Sequence, residues 1–178
     1  MLALVRPGVG RATASDLNVF ASAALPRMVR LEQAFRSEER ERLTDAVLEL
    51  IGLGPGLTPS SDDMLAGLVL LCVLYAKNYG RAQHATRLLA QTVAAEARGR
   101  TTILSEEFLI QAALGRGNEP VVRLCRALLT GGRESAERET KQVLAIGATS
   151  GTDTVLGVVL GTIFCMGGPS SLAWSGSE

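Results

Sequence analysis

Two runs of the chain, Met64 to Ala76 and Val155 to Gly168, carry almost nothing but apolar residues. Each is shorter than the roughly 20 residues a membrane-spanning helix needs, so both read as central helices of a soluble fold. A helix that is apolar all round has to be covered on all sides, so the rest of the chain must supply amphipathic helices to wrap the pair. No stretch shows the apolar–polar alternation of a half-buried strand. The expected class is all-α: a compact helical bundle with two central apolar helices, each opened by a loop of Gly, Ser, Thr and Asp.

At 178 residues the chain suits one domain that hides roughly 70% of its unfolded surface. Aromatic residues make up only 4%, which leaves Leu, Val, Ala and Ile to fill the core. Residues 1–24, broken by Pro7, Gly8 and Gly10, read as an N-terminal arm or cap, 25–168 as the helical domain, and 169–178 as a flexible tail. A helix from Pro26 places Met28, Leu31, Phe35, Leu43, Val47, Leu50 and Ile51 at helical spacing, with a polar interruption over Ser37 to Glu41. Further helices are expected from Ser60–Asp63 to Tyr79, within Arg81–Arg98, from Thr102 or Ser105 to Gly115, from Asn118 to Leu129, over Glu134–Ile146 and over Thr152–Met166. Asn118, followed by Glu119 and Pro120, has the form of a capped helix start.

Lys plus Arg and Asp plus Glu each number 18, which argues against the basic face that nucleic acid requires. Cys72, Cys125 and Cys165 have no metal-like spacing and lie in apolar helical patterns, where a free Cys acts as a small hydrophobe. His84, the only histidine, reads as a surface helix residue. The first residues hold no apolar segment long enough for a signal peptide. A cytoplasmic protein with no membrane contact is expected.

Chemistry should reside in the loops. One reads Gly52-Leu-Gly-Pro-Gly-Leu-Thr-Pro-Ser-Ser-Asp-Asp, the other Gly147-Ala-Thr-Ser-Gly-Thr-Asp, and each opens an apolar helix. Aligning Gly56 with Gly147, Thr58 with Thr149, Ser61 with Thr152 and Asp62 with Asp153 gives a shared G-x-T-x-x-[ST]-D pattern, compatible with a pseudo-twofold pair of helix-loop-helix units. Asp63 is then an unpaired extra. Helix starts offer N–H groups and partial positive charge, glycines admit a ligand close to the backbone, and hydroxyls complete its coordination. Gly54, Gly56, Thr58, Ser60, Ser61, Thr149, Ser150, Gly151 and Thr152 are therefore candidate ligand-binding residues, and Asp62, Asp63 and Asp153 candidate catalytic groups. The opposing reading is ordinary capping of each helix by its own side chains. A third loop, Gly99-Arg100-Thr101-Thr102, adds a guanidinium suited to a carboxylate or phosphate. The Gly52–Gly56 turn is not a P-loop: it follows no strand and lacks Gly-Lys-[Ser/Thr].

The blocks 52–67, 100–105 and 147–157, taken in order, resemble the oxamate carbamoyltransferase subunit AllH family, once tentatively labelled a putative carboxylase. The resemblance spans roughly Leu43 to Gly161. Ser61 stands where the family usually has Gly, and the stretch ahead of the first block is shorter than in typical members. The resemblance implies a subunit acting in anaerobic allantoin breakdown, where oxalurate and phosphate become oxamate and carbamoyl phosphate. Its partners would be a small anionic substrate and other carbamoyltransferase subunits, and a homo-oligomer is compatible with it. No cofactor is implied. Two alternatives stand beside it. The Thr/Asp loops are also similar to those of ADP-ribosylglycohydrolases, in which case Asp62, Asp63 and Asp153 would bind Mg²⁺. The third option is a non-enzymatic helical scaffold.

Overall fold

The computed structural model describes residues 19–166. Along them run α1 (Val19–Ser37), α2 (Arg40–Leu48), α3 (Ser60–Tyr79), α4 (Gln83–Glu96), α5 (Ile103–Ala113), α6 (Glu119–Thr130), α7 (Arg133–Leu144) and α8 (Ser150–Met166). No strand occurs among the described residues. The tail, and the arm up to residue 18, lie outside them.

The polar interruption is a true break, where Glu38 takes a left-handed backbone (φ 57°) between α1 and α2. Pro26 is inside α1 rather than at its start. The alanines at positions 21, 23 and 24 are strong helix formers, and they extend the helix upstream of it. Asn118 also departs from expectation. α6 begins beside it, with Pro120 in the first turn, but its side chain makes no capping bond. Thr102 does cap α5, accepting from the Ser105 N–H at 3.1 Å.

α3 is the axle. Its residues from Ser61 to Ala76 are buried apart from Ala66, and it contacts α4, α5, α6 and α8. Each fully buried leucine along it, such as Leu65, Leu68 or Leu71, contributes about 1.5–3 kcal/mol over an exposed one. The α1–α2 pair covers α4 with Met28, Leu31, Phe35, Leu43, Val47 and Leu50 buried as the spacing foretold. α6 and α7 pack together and close on the α3–α8 pair.

The most extensive helix contact is α8 against α3, and glycines permit it. A Cβ on Gly67 would stand 2.3 Å from the Thr154 carbonyl oxygen, and one on Gly157 would stand 1.9 Å from the Met64 carbonyl oxygen. These two contacts are mirror partners: Gly67 and Gly157 are 90 positions apart, and so are Met64 and Thr154. Two parallel helices related by a local twofold therefore cross backbone to backbone within two turns of their starts. α8 buries only one side, through Gly157, Val158, Leu160, Gly161 and Phe164, while Leu156 and Val159 are exposed. In sequence the two apolar runs look alike, and only α3 is enclosed on all sides.

Candidate functional site

Because the crossing lies so near both helix starts, the two Gly/Ser/Thr/Asp loops meet. The Thr58 and Ser150 hydroxyls are 3.0 Å apart across the junction. Beside them lie two carboxyl groups, Asp63 from α3 and Asp153 from α8. The Ser150 and Thr58 hydroxyls lie close enough to Asp63, and the Ser60 hydroxyl close enough to Asp153, to favour the charged carboxylates. This exchange repeats the glycine symmetry: Ser60 with Ser150, Asp63 with Asp153 and Gly67 with Gly157 all differ by 90 positions. The motif that repeats in space is Ser-x-x-Asp-x-x-x-Gly.

That register corrects the expected one by a single residue. Asp62 is not the counterpart of Asp153, and Asp63 is not an unpaired extra. Asp62 points the other way, accepting from the Gly52 N–H at 2.8 Å and from the Thr101 hydroxyl. It ties the loop before α3 to the loop before α5. The apparent match of Gly56 with Gly147 and Thr58 with Thr149, 91 positions apart, is similarity of composition rather than of position. Successive helical residues point about 100° apart, so a one-residue slip exchanges a structural carboxylate for one that faces the junction.

The electrostatics of the pair follow from its surroundings. Burial pushes the Asp63 carboxyl up to about 6; the Ser150 and Thr58 hydroxyls pull it back, and Asp153 and Asp62 add to the rise. Burial also raises Asp153, against the Ser60 hydroxyl. The Oδ2 atoms of both Asp63 and Asp153 are buried without a hydrogen-bond partner. Asp62 is raised by burial too, opposed by Thr101 and the Gly52 N–H.

The remaining candidates divide clearly. Ser61 is structural, its hydroxyl donating to the carbonyls of Leu50 at 2.5 Å and Leu53 at 2.7 Å. Gly54 lies over the start of α3, where a Cβ would come within 2.8 Å of the Ser60 nitrogen. Thr102 donates to the Leu57 carbonyl at 2.6 Å. Gly151 is buried against α7, whereas Gly56, Thr149 and Thr152 are exposed at the rim. Arg100 is not brought to the junction: its side chain is 57% exposed and pairs with Glu96 at 3.4 Å. His84 is exposed.

The helix-start N–H groups are largely taken as well. Ser61 donates to Leu53, Asp62 and Asp63 donate to Pro59, Gly151 donates to Ile146, and Asp153 donates to Thr149. These five amides are therefore not open to an anion. Of the three loop aspartates, Asp62 has both oxygens engaged away from the Asp63–Asp153 pair. Among the described residues no three His, Cys, Asp or Glu side chains group as a metal site. An open groove of about 380 Å³ lies elsewhere, between α3, α4 and α5. Lined by Val73, Ala76 and Ala90 with Lys77 and Arg87, it carries no carboxyl group.

A family model described as oxamate carbamoyltransferase subunit AllH matches residues 50–162. The chain belongs to this family. The AllH match takes in both loops, both serines and both aspartates of the junction, and both crossing glycines. No solved structure matches the chain, so the twofold arrangement is described from this protein alone. Among the described residues no helix is long and apolar enough to cross a membrane.

Proposed function

We propose that this chain is the subunit of an oxamate carbamoyltransferase that takes the carbamoyl-bearing ligand at the α3–α8 junction. The reaction is the one the resemblance implies, oxalurate and phosphate giving oxamate and carbamoyl phosphate in allantoin breakdown. The observation that carries the reading is the reciprocal Ser60–Asp153 and Ser150–Asp63 pairing, with a carboxyl oxygen on each side left without a partner.

A carbamoyl group has an NH₂ that donates twice and a carbonyl that accepts. Asp153 supplies an acceptor for the NH₂ through its partnerless Oδ2, and Asp63 in its protonated form supplies a donor for the carbonyl. Two adjoining carboxyl groups repel a phosphate or carboxylate, so the ionic end of the ligand lies outward, toward exposed Thr149 and Thr152. A carboxyl near 6 also suits proton transfer at the nitrogen that leaves or receives the carbamoyl group, because such catalysis works best near the operating pH. The other transferase subunits would meet the chain beside the loop. There Leu57 is 78% exposed and Ile103 is 89% exposed, next to the bond that joins Thr102 to Leu57.

The test is carbamoyl phosphate formation from oxalurate and phosphate by the assembled subunits. Asp63→Asn and Asp153→Asn are each expected to lower kcat by roughly 10²-fold or more, the range of general acid–base contributions, with the helical circular dichroism unchanged. Full activity in the double variant would refute the placement of the site.

A further inference from the structure

The far end of the α3–α8 pair holds a second constellation, made of thiols. Contacts along the crossing recur every turn: Gly157 lies on Met64, and Gly161 lies on Leu68, where a Cβ would stand 2.9 Å from the carbonyl oxygen. Clearance grows from 1.9 Å at the first rung to 2.9 Å at the second, so the helices open gradually and the next rung has room for two small side chains. That rung is Cys72 and Cys165, since residues four apart share a helix face. The Cys72 thiol already points at α8, donating to the Gly161 carbonyl at 3.9 Å. Cys72 is fully buried, whereas Cys165 is partly open.

We propose that Cys72 and Cys165 are a dithiol pair that closes to a reversible disulfide, fastening the last turn of α8 to the middle of α3. The oxidant is hydrogen peroxide. The accessible Cys165 sulfur attacks a peroxide oxygen, the O–O bond breaks, and a sulfenic acid and water form. The Cys72 sulfur then attacks the Cys165 sulfur, the S–S bond forms, and the S–O bond breaks. The hydroxyl leaves with the Cys72 proton as a second water. Two thiols are oxidised and one peroxide is reduced. The neighbouring Cys165 thiol, together with burial, holds the Cys72 thiol well above its usual range; with Cys165 also the more accessible sulfur, Cys72 is the slow resolving partner and Cys165 the initiator. Disulfides tolerate only close Cβ pairs, about 3.5–4.5 Å apart, and the rung pattern selects this pair over Cys125, which is on α6. The bond would fix the same helix pair that carries Asp63 and Asp153 at its other end.

The test treats the full chain with hydrogen peroxide, alkylates it under denaturing conditions, and maps it without reduction. Two of the three thiols should be lost to a Cys72–Cys165 linked peptide, recovered with dithiothreitol, with a higher melting temperature while the bond is closed. Cys125→Ser should leave this result unchanged, and Cys165→Ser should abolish it. Because Cys165 is only partly buried, that variant keeps the test usable if Cys72→Ser does not fold. Three thiols still alkylated, a linkage through Cys125, or Cys165 driven to sulfinic acid with Cys72 free would each overturn the proposal.

Discussion

Gly157→Ala separates the tertiary argument from local propensity, because the two predict opposite signs. In an isolated helix, replacing Gly by Ala stabilises by about 1 kcal/mol. Here the new methyl would sit 1.9 Å from the Met64 carbonyl oxygen, and even a 3.0 Å contact demands a shift of 1.1 Å. The obstacle is main chain, so no side-chain rotation relieves it, and α8 must lift off α3 along their shared face. Forcing a methyl into a packed site costs typically about 1–3 kcal/mol, and a backbone obstacle puts this case at the upper end. Set against the propensity gain, the net loss is about 2 kcal/mol. For a chain of this length that is a fall in melting temperature of roughly 4–8 °C. Thermal and urea unfolding followed by circular dichroism would measure it. Gly67→Ala, the twofold mate, should behave alike, its Cβ meeting Thr154 at 2.3 Å. The double variant should lose less than the sum, because the helices need to part only once. A Gly157→Ala protein as stable as the parent, or more so, would refute the close crossing and with it the convergence of the two loops.

Asp62→Asn should cost about 1–3 kcal/mol in urea unfolding, because an amide NH₂ would then face a donor, either the Gly52 N–H or the Thr101 hydroxyl. Thr101→Val should cost less, with the two effects non-additive. Asp63 binds a proton more tightly folded than unfolded, so its contribution to stability is present at low pH and is lost as pH rises from about 3.8 toward 6. Measured as wild type minus Asp63→Asn, stability should therefore fall across that window, and a difference that stays flat or rises would contradict the buried pair. Arg100→Ala should change stability by no more than about 0.5 kcal/mol, as exposed ion pairs contribute little, and should leave ligand-induced thermal shifts intact.

Much of this was legible from residues alone. Helical periodicity located Met28, Leu31, Phe35, Leu43, Val47 and Leu50 in the core, because a stripe repeating at the helical period has only one way to be buried. Gly80 and Gly131 marked helix ends correctly, each taking the left-handed C-cap. Residues 52–63 and 147–153 stand out in sequence as the polar, glycine-rich openings of the two apolar helices. The roles within them do not. Ser61 and Asp62 look as available as Ser60 and Asp63 in one dimension, and the carbonyls and N–H groups that claim them, Leu50, Leu53 and Gly52, are set by how the loop folds back. Arg100 likewise has the right chemistry for an anion but points along α4 to Glu96.

The sequence by itself determined that this protein is helical, that two apolar helices organise it, and that each opens on a polar, glycine-rich loop. Those properties follow from composition and spacing within one segment. Tertiary structure alone decided that the two loops meet, that the true register is Asp63 with Asp153, and that one aspartate of the adjacent pair is a strut while the other faces the junction. The physical reason lies in Gly67 and Gly157. Two missing side chains let two backbones touch, and the rotational setting of that contact fixes which residues of each helix face one another.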